Sequence, residues 1–571
     1  MVAGKLGDRE ISLIILADET DEGSLDLELD RYKATIIRAG EIWQKVMYRR
    51  VSKMKTLEKK GSTKNGMLRL IFVAFAILLE VCLVIFILMT RLGRYAEVIA
   101  IVSRIMGLFL VLAIYSQNRS ASIKMPWIIL ILIFPAVGVS LYLLTGLSGS
   151  TAKMKKRYQM IDDELVPVLT QDESVISELC DLDRSCSGIS QYILSQSGFP
   201  VYKNNKVQFY PDAAVGLEAQ KQAMREAKSF IFLEYFAIED AESWREVEDI
   251  LAMKASEGIE VRVFYDDIGS IGFVNMSFAR RLSDKGIKCK VFNPMIPVFN
   301  FFLDNRDHRK MTIIDNRIGF TGGYNLANEY FNITSPYGYW KDTGVSIEGD
   351  AVRSMTVAFI EMWNAVRGSD NKDADISVYT EKQYASVNNK GYVQFYADNP
   401  MYKNPVGEDV YLSIINRAVK YIYIMTPYLI ITEEMRRMLG LAAKRGVDVR
   451  IITPGIPDKK IIYQLTRSYY AGLVHDGVRI YEYSPGFCHA KMCVSDDMVA
   501  TCGTINMDFR SLYHHFEDGC LMIDCGAVTD IKADFDNSLR QSTEVTEKYR
   551  TGRSAMLRFG QLVLRLFAPL L

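Results

Sequence analysis

Histidine is scarce in this chain, five residues in 571. Cysteine occurs nine times but never as a CxxC pair, which excludes a zinc ribbon or a closely spaced disulfide framework and leaves buried or free thiols. Net charge is absent as well, 68 Lys+Arg standing against 68 Asp+Glu. That balance argues against a nucleic-acid binder working through bulk positive charge, and equally against an acidic disordered chain. What is plentiful is apolar side chain, 49 % of residues beside 24 % charged, and the excess is local.

Leu68 to Met89 is almost unbroken hydrocarbon, interrupted by Arg69 and Glu80. Val98 to Tyr115 follows with one charge at Arg104, and Trp127 to Leu144 is a third run, broken by Pro135 and Gly138. Each reaches about 18 to 22 residues, enough to cross a bilayer core. The reading is a multi-pass membrane protein: a basic N-terminal extension at 1–66, transmembrane segments at 67–147 and a linker at 148–200. The first run begins too far into the chain for a cleavable signal peptide. Lys and Arg are dense both before the first run (Lys45 to Lys64) and after the third (Lys153 to Arg157). The positive-inside rule then places both flanks in the cytoplasm, whereas three spans place them on opposite sides. The Arg104 segment is the candidate for a re-entrant or tilted path, because a central Arg is costly in lipid. In the tail, 546–571, Ser554, Arg558, Gln561 and Arg565 recur at helical spacing and form one polar face. An interfacial helix and a terminal helix docked on the protein's own core both fit that pattern.

Beyond residue 200 the chain repeats itself. Val207-Gln208-Phe209-Tyr210-Pro211-Asp212 returns as Val393-Gln394-Phe395-Tyr396-Ala397-Asp398, and Phe230–Leu233 has its counterpart in Tyr421–Ile424. Helix-to-strand passages through Gly258 and Gly446 also match. Strand-like runs alternate with helical runs ending at Gly, which predicts α/β units. The expected fold is two homologous halves, 201–385 and 386–545, each a mixed sheet flanked by helices.

The repeat then converges on chemistry. His308-Arg309-Lys310-Met311-Thr312-Ile313-Ile314-Asp315 is echoed by His489-Ala490-Lys491-Met492-Cys493-Val494-Ser495-Asp496, both reading HxKxxxxD at an offset of 181 residues. Gly322 and Gly503, and Asn325 and Asn506, pair at the same offset. A given His finds Lys at +2 and Asp at +7 by chance on the order of a few times in a thousand, yet two of five histidines do so here, in register. In a strand, residues i and i+2 share a face, so His308 projects with Lys310 and His489 with Lys491. Lys310, Lys491, Asn325 and Asn506 suit the non-bridging oxygens of one phosphate. One imidazole can attack phosphorus while the other protonates the leaving alcohol. No carboxylate cluster with metal-ligand spacing lies near either motif, so the expected chemistry uses no metal and no cofactor, with both halves contributing to one site.

The duplicated motif resembles the signature of the phospholipase D superfamily, and the flanks resemble bacterial cardiolipin synthases within it. Those flanks are Arg306-Asp307-His308, Gly319 to Asn325, Gly338-Tyr339-Trp340-Lys341-Asp342-Thr343, Thr426-Pro427-Tyr428, Gly486 to Lys491 and Gly503 to Ser511. Trp127 to Gly146 resembles the membrane segment preceding that family's catalytic part. The resemblance implies phosphatidyl transfer in a bacterial cell membrane, with cytoplasmic placement of the catalytic part favoured. One phosphatidylglycerol forms a phosphatidyl-histidine with loss of glycerol, and a second phosphatidylglycerol accepts the group to give cardiolipin. It further implies an acidic residue downstream of each motif that orients its histidine; Asp342 and Glu517 stand at those positions. By the same resemblance His308 is the nucleophile and His489 the acid/base. Asp315 and Asp496 belong to the catalytic motif, with a strand-anchoring role favoured for them. The alternatives are a membrane-bound phospholipase D releasing phosphatidic acid and a catalytically silent membrane scaffold. A nuclease is disfavoured by zero net charge and the apolar runs. Cys488 and Cys493 flank His489 and are either oxidation-sensitive or buried filler. The Thr426-Pro427-Tyr428 segment lacks the Phe and second Pro that commonly follow in the family.

Overall fold

The computed structural model describes residues 96–117, 120–146, 149–275, 277–294, 305–366, 376–381 and 389–550, with 560–561, 564–566 and 568 near the C-terminus. The basic extension 1–66 and the run Leu68 to Met89 lie outside the described residues.

The internal repeat is a repeat of sheet topology. One seven-stranded sheet runs in the order Lys206–Tyr210, Gly344–Glu348, Ile318–Gly322, Lys310–Ile314, Phe230–Tyr235, Glu260–Asp266, Lys288–Phe292. The second sheet carries the same succession: Tyr392–Asp398, His515–Ile523, Val499–Gly503, Met492–Ser495, Tyr421–Met425, Asp448–Pro454, Arg479–Tyr483. In each, the last three strands are parallel and the pairings before them antiparallel. Parallel neighbours need helical crossovers, and the helical runs between them supply these. Glu433–Lys444 shows how such a helix is delimited: Thr432 caps its start by accepting from Met435 N at 3.2 Å, and Gly446, at φ +94°, follows its end. Phe230–Tyr235 is buried at every position, as expected for a central strand covered on both faces.

Two assignments from the sequence move. Tyr202–Lys203, expected in the first half, pairs with Val393 and Tyr392 at the edge of the second sheet. The stretch 148–200 is three helices, Gly149–Leu165, Glu173–Leu182 and Arg184–Ser197, rather than a linker. Their apolar positions, including Tyr158, Ile161, Leu165, Leu179 and Ile193, are buried in the main core, and that helical periodicity drives the packing.

The halves are tied by exchanged strands. Arg306–Asp307 runs parallel to His515 and Phe516 of the second half, and Gly486–Cys488 runs parallel to Tyr339–Lys341 of the first. The buried helix Val352–Ala365 touches both sides: Phe359 stacks on Phe232 at 4.6 Å, and Glu361 accepts from Asn399 at 3.2 Å. Lys341 Nζ donates to Asp534 Oδ1 at 2.7 Å, with both side chains buried.

Ahead of this body stand α1 (Ala96–Tyr115), α2 (Ala121–Ile133) and α3 (Pro135–Gly146). The Trp127 to Leu144 run bends at Phe134, where Pro135 offers no N–H and pushes its predecessor out of the helical region. Trp127 then meets Tyr142 across the bend, ring centroids 5.4 Å apart. Gly138 faces the Ile131 backbone so closely that a Cβ there would collide, which permits the tight return. Among the described residues no helix is long and apolar enough to cross a membrane. The break thus falls in the third run, while the Arg104 segment is one continuous helix. In the tail, Leu564 and Ala568 pack on the main core and the Arg565 guanidinium lies 4.2 Å from the Tyr469 ring centre; those contacts match docking on the protein itself.

Candidate active site

The exchanged strands bring the two motifs together. His308 follows directly on Arg306–Asp307, and its N–H donates to Phe516 O of the second half at 2.8 Å. His489 follows on Gly486–Cys488, and its N–H donates to Lys341 O of the first half at 2.7 Å. Each backbone is therefore pinned against the segment that carries an acid. His308 Nδ1 lies 2.9 Å from Glu517 Oε2, and His489 Nδ1 lies 2.7 Å from Asp342 Oδ2. The sequence reading paired each acid with the histidine of its own motif; the fold crosses them, each histidine taking its acid from the other half. Glu517 also accepts from Thr504 Oγ1 at 2.5 Å and from the Ser511 hydroxyl. Asp342 accepts from Thr343 N at 3.0 Å, and any Cβ at Gly323 would strike its carboxylate. A carboxylate on Nδ1 fixes the tautomer and leaves Nε2 as the working nitrogen.

Both lysines are almost fully buried beside these imidazoles. Lys310 Nζ donates to His308 O at 2.5 Å, and Lys491 Nζ donates to His489 O at 2.5 Å. Lys491 Nζ also stands 2.8 Å and 3.0 Å from the two ring nitrogens of His489. Burial pushes the Lys310 ammonium down to about 8 and that of Lys491 to about 7; for Lys491 the neighbouring Lys310 adds to the push while the Asp342 carboxylate resists it. Burial and the Lys491 charge push His489 down to about 4, against the pull of Asp342. His308 is held well below the usual histidine range by burial, then by Lys310. Burial pushes Asp342 up, but His489 and Lys491 outweigh it and hold the carboxyl below its ordinary value.

The two asparagines differ. Asn325 is engaged within the protein, Oδ1 accepting from Ala237 N at 3.1 Å and Nδ2 donating to Tyr330 O–H at 2.8 Å. Asn506 keeps a buried Oδ1 without a hydrogen-bond partner. Tyr330 packs against His489 with ring centroids 5.3 Å apart, which sets Asn325 one residue away from that imidazole.

Asp315 and Asp496 stand apart from the imidazoles. Asp315 accepts from the N–H groups of Lys228, Ser229 and Phe230 at 2.7–2.9 Å, and Asp496 from those of Val419, Lys420 and Tyr421 at 2.8–2.9 Å. Each follows the far end of its strand, and five residues of strand separate Asp315 from Lys310 by about 16 Å. These contacts anchor each strand to the neighbouring one. Asp315→Ala strands three backbone donors at the mouth of a buried strand, so it is expected to cost about 2–4 kcal/mol. The fall in Tm of the purified protein measures this, while turnover per folded molecule stays within a few-fold of the parent.

Several residues near the site carry no assigned role in the sequence reading. Ser511 and Thr504 fix Glu517, and Thr321 holds Asp518, whose other oxygen accepts from Lys310 N at 3.3 Å. Trp340 packs against His489 at 5.3 Å between ring centroids and keeps a buried indole N–H without a partner. His515 is the third imidazole, 5.4 Å from that of His308 between centroids. A detectable signal existed for it: His515 and Glu517 sit at i and i+2 of one strand and so share a face. His308, His515 and Glu517 each offer a donor atom, all within 4.8 Å of one another, a grouping that the long stretch of chain between His308 and His515 conceals. Cys488 and Cys493 are fully buried and burial pushes both thiols up to about 12, which makes them inert filler.

Two family models match the chain. One, described as cardiolipin synthase, PLD-like domain, covers residues 221–363 and again 411–539. The other, phospholipase D-nuclease N-terminal, covers 104–146, from within α1 to the end of α3. A cardiolipin synthase of Halalkalibacterium halodurans is 31 % identical over 81 % of this chain and 92 % of its own length. A protein of Streptococcus mutans serotype c with no assigned function is 41 % identical over 80 % of this chain and 98 % of its own length. Among solved structures, phosphatidylserine synthase of Haemophilus influenzae matches in fold with a TM-score of 0.50 at 14 % identity, over 68 % of this chain and 100 % of that one.

Proposed function

The chain belongs to the cardiolipin synthase family, and on that premise we propose that it is a phosphatidyltransferase joining two phosphatidylglycerol molecules into cardiolipin and glycerol. The carrying observation is the crossed pair of imidazole–carboxylate contacts, His308 with Glu517 and His489 with Asp342, each beside a buried lysine. His308 Nε2 attacks the phosphorus of the first phosphatidylglycerol. The bond to the glycerol headgroup oxygen breaks, and His489 Nε2–H delivers the proton that this oxygen needs. The terminal hydroxyl of a second phosphatidylglycerol gives its proton back to His489, attacks the phosphatidyl-histidine and frees His308. Lys310, Lys491 and Asn506 bear the non-bridging oxygens.

Electrostatics favour this division of labour. Asp342, held ionised, stabilises an imidazolium on His489, and the phosphodiester's negative charge raises the basicity of that ring further once bound. His308, held well below the usual histidine range by burial and then by Lys310, stays neutral and nucleophilic. The aqueous acceptor is the rival. Purified protein in phosphatidylglycerol vesicles with no added metal is expected to release one glycerol per cardiolipin formed. Phosphatidic acid as the main product assigns the chain to hydrolysis instead. Membrane attachment is supported by α1, which exposes Val98, Ile101, Ile105, Leu108, Phe109 and Leu112. The short hairpin of α2 and α3, 13 and 12 residues, measures only about 18–20 Å per arm. It suits entry and return on one side of a bilayer.

A further inference from the structure

We propose that His308, His515 and Glu517 form an inhibitory site for a borderline divalent transition ion, for which zinc is the probe. The inference rests on reading His308 as the nucleophile. Two imidazoles converge on one carboxylate: His308 Nδ1 is 2.9 Å from Glu517 Oε2 and His515 Nδ1 is 3.6 Å from Glu517 Oε1. The second contact is too long for a hydrogen bond, and His515 Nδ1 is buried without a hydrogen-bond partner. Two imidazole nitrogens and a carboxylate are the donor set that zinc takes in open sites, and all three lie within 4.8 Å of one another. Both imidazoles retain about a tenth of their side-chain surface, 9 % for His308 and 11 % for His515. Glu517 is already fixed by Thr504 and Ser511, the outer support that metal ligands need.

The inhibition follows from the tautomer. In the working enzyme Nδ1 of His308 carries the proton toward Glu517, and the Nε2 lone pair attacks phosphorus. An ion on Nδ1 takes the lone pair there, so the ring's single proton moves to Nε2 and the nucleophile is gone. His515 makes the same shift, which gives up its long contact with Arg510 Nε at 3.4 Å. Lys310, Arg306 and Arg510 flank His515 and oppose a cation, so affinity depends on all three ligands being present.

The test uses full-length protein cleared of metal with a chelator that is then removed. Cobalt, as a coloured stand-in for zinc, is expected to bind one ion per chain with a visible tetrahedral-type absorption that zinc displaces. Zinc is expected to stop glycerol release, and chelator to restore it. His515→Asn is expected to raise the zinc concentration for half-inhibition by about tenfold or more, measured against that variant's own metal-free rate, as loss of a ligand does at least as much as loss of an outer partner. His515→Phe, which keeps the ring volume, serves the same comparison if the Asn variant folds poorly. Absence of a cobalt band in the parent protein, or half-inhibition unchanged in both variants, overturns the site. If His308→Ala retained turnover, the phosphatidyl-transfer reading would fail on its own, and the cobalt stoichiometry would still report the ligand set.

Discussion

His489→Ala protein mixed with a phosphatidyl donor whose leaving group is a nitrophenol should release one nitrophenol per chain in a burst and then nearly stop. His308→Ala should show no burst. The nitrophenolate leaves without a proton, so the first half-reaction dispenses with an acid and requires only the nucleophile. Breakdown of the adduct still needs a base to take the proton from the acceptor hydroxyl. With phosphatidylglycerol as donor both variants should lose about ten-thousand-fold or more in turnover, since glycerol cannot leave unprotonated and groups acting as a unit are lost together. The adduct should survive alkali, be lost in acid, and map by mass spectrometry to the peptide containing His308. A burst in His308→Ala with none in His489→Ala would reverse the roles. A burst in both would mean that the phosphatidyl group is carried elsewhere.

That experiment depends on geometry which the sequence carried only in part. HxKxxxxD in duplicate, with Asn325 and Asn506 in register, was legible because i and i+2 in a strand share a face regardless of tertiary context. The order of strands repeated for the same reason: alternating strand and helix periods encode local structure. What stayed hidden is everything made by the two- and three-residue strands crossing between halves. Arg306–Asp307 and Gly486–Cys488 are too short to show a period, yet they decide that Glu517 serves His308 and Asp342 serves His489. Sequence proximity pointed to the opposite pairing. The three helices in 149–197 were hidden by their polar content, although Tyr158, Ile161 and Leu165 mark a buried stripe. The fold of the third apolar run into α2 and α3 was signalled by Pro135 and Gly138, residues that hydropathy alone does not weigh.

Between pH 7 and pH 10 activity and stability should move in opposite directions, and Lys491→Met should separate them. Lys491 is fully buried and its ammonium is pushed down to about 7, whereas in an unfolded chain it titrates near 10.4. Across that window the unfolded state binds more protons than the folded one, so stability rises with pH. Below about pH 7 both states are protonated and the full cost of burying the charge is present; above the unfolded value it is gone. Integrated over the window the effect is on the order of 3–5 kcal/mol. Lys310, pushed down to about 8, adds a smaller contribution of the same sign. Catalysis needs the charged form, because only an ammonium bears phosphate oxygens, so kcat/KM should fall as the free enzyme loses those protons above pH 7–8. The limb in kcat should lie at higher pH, since bound phosphodiester favours the ammonium. Lys491→Met fills nearly the same volume without the charge. It is expected to raise Tm at pH 7, flatten the rise of stability with pH, and lower turnover by about a thousand-fold, the scale of losing one electrostatic contact to a transition state. Thermal unfolding and glycerol release measured on the same preparations at half-unit steps decide the matter. A Lys491→Met protein less stable than its parent at pH 7 would show that the ammonium is a net stabilising partner of Asp342, and the lysines would then be part of the scaffold as well as of the site.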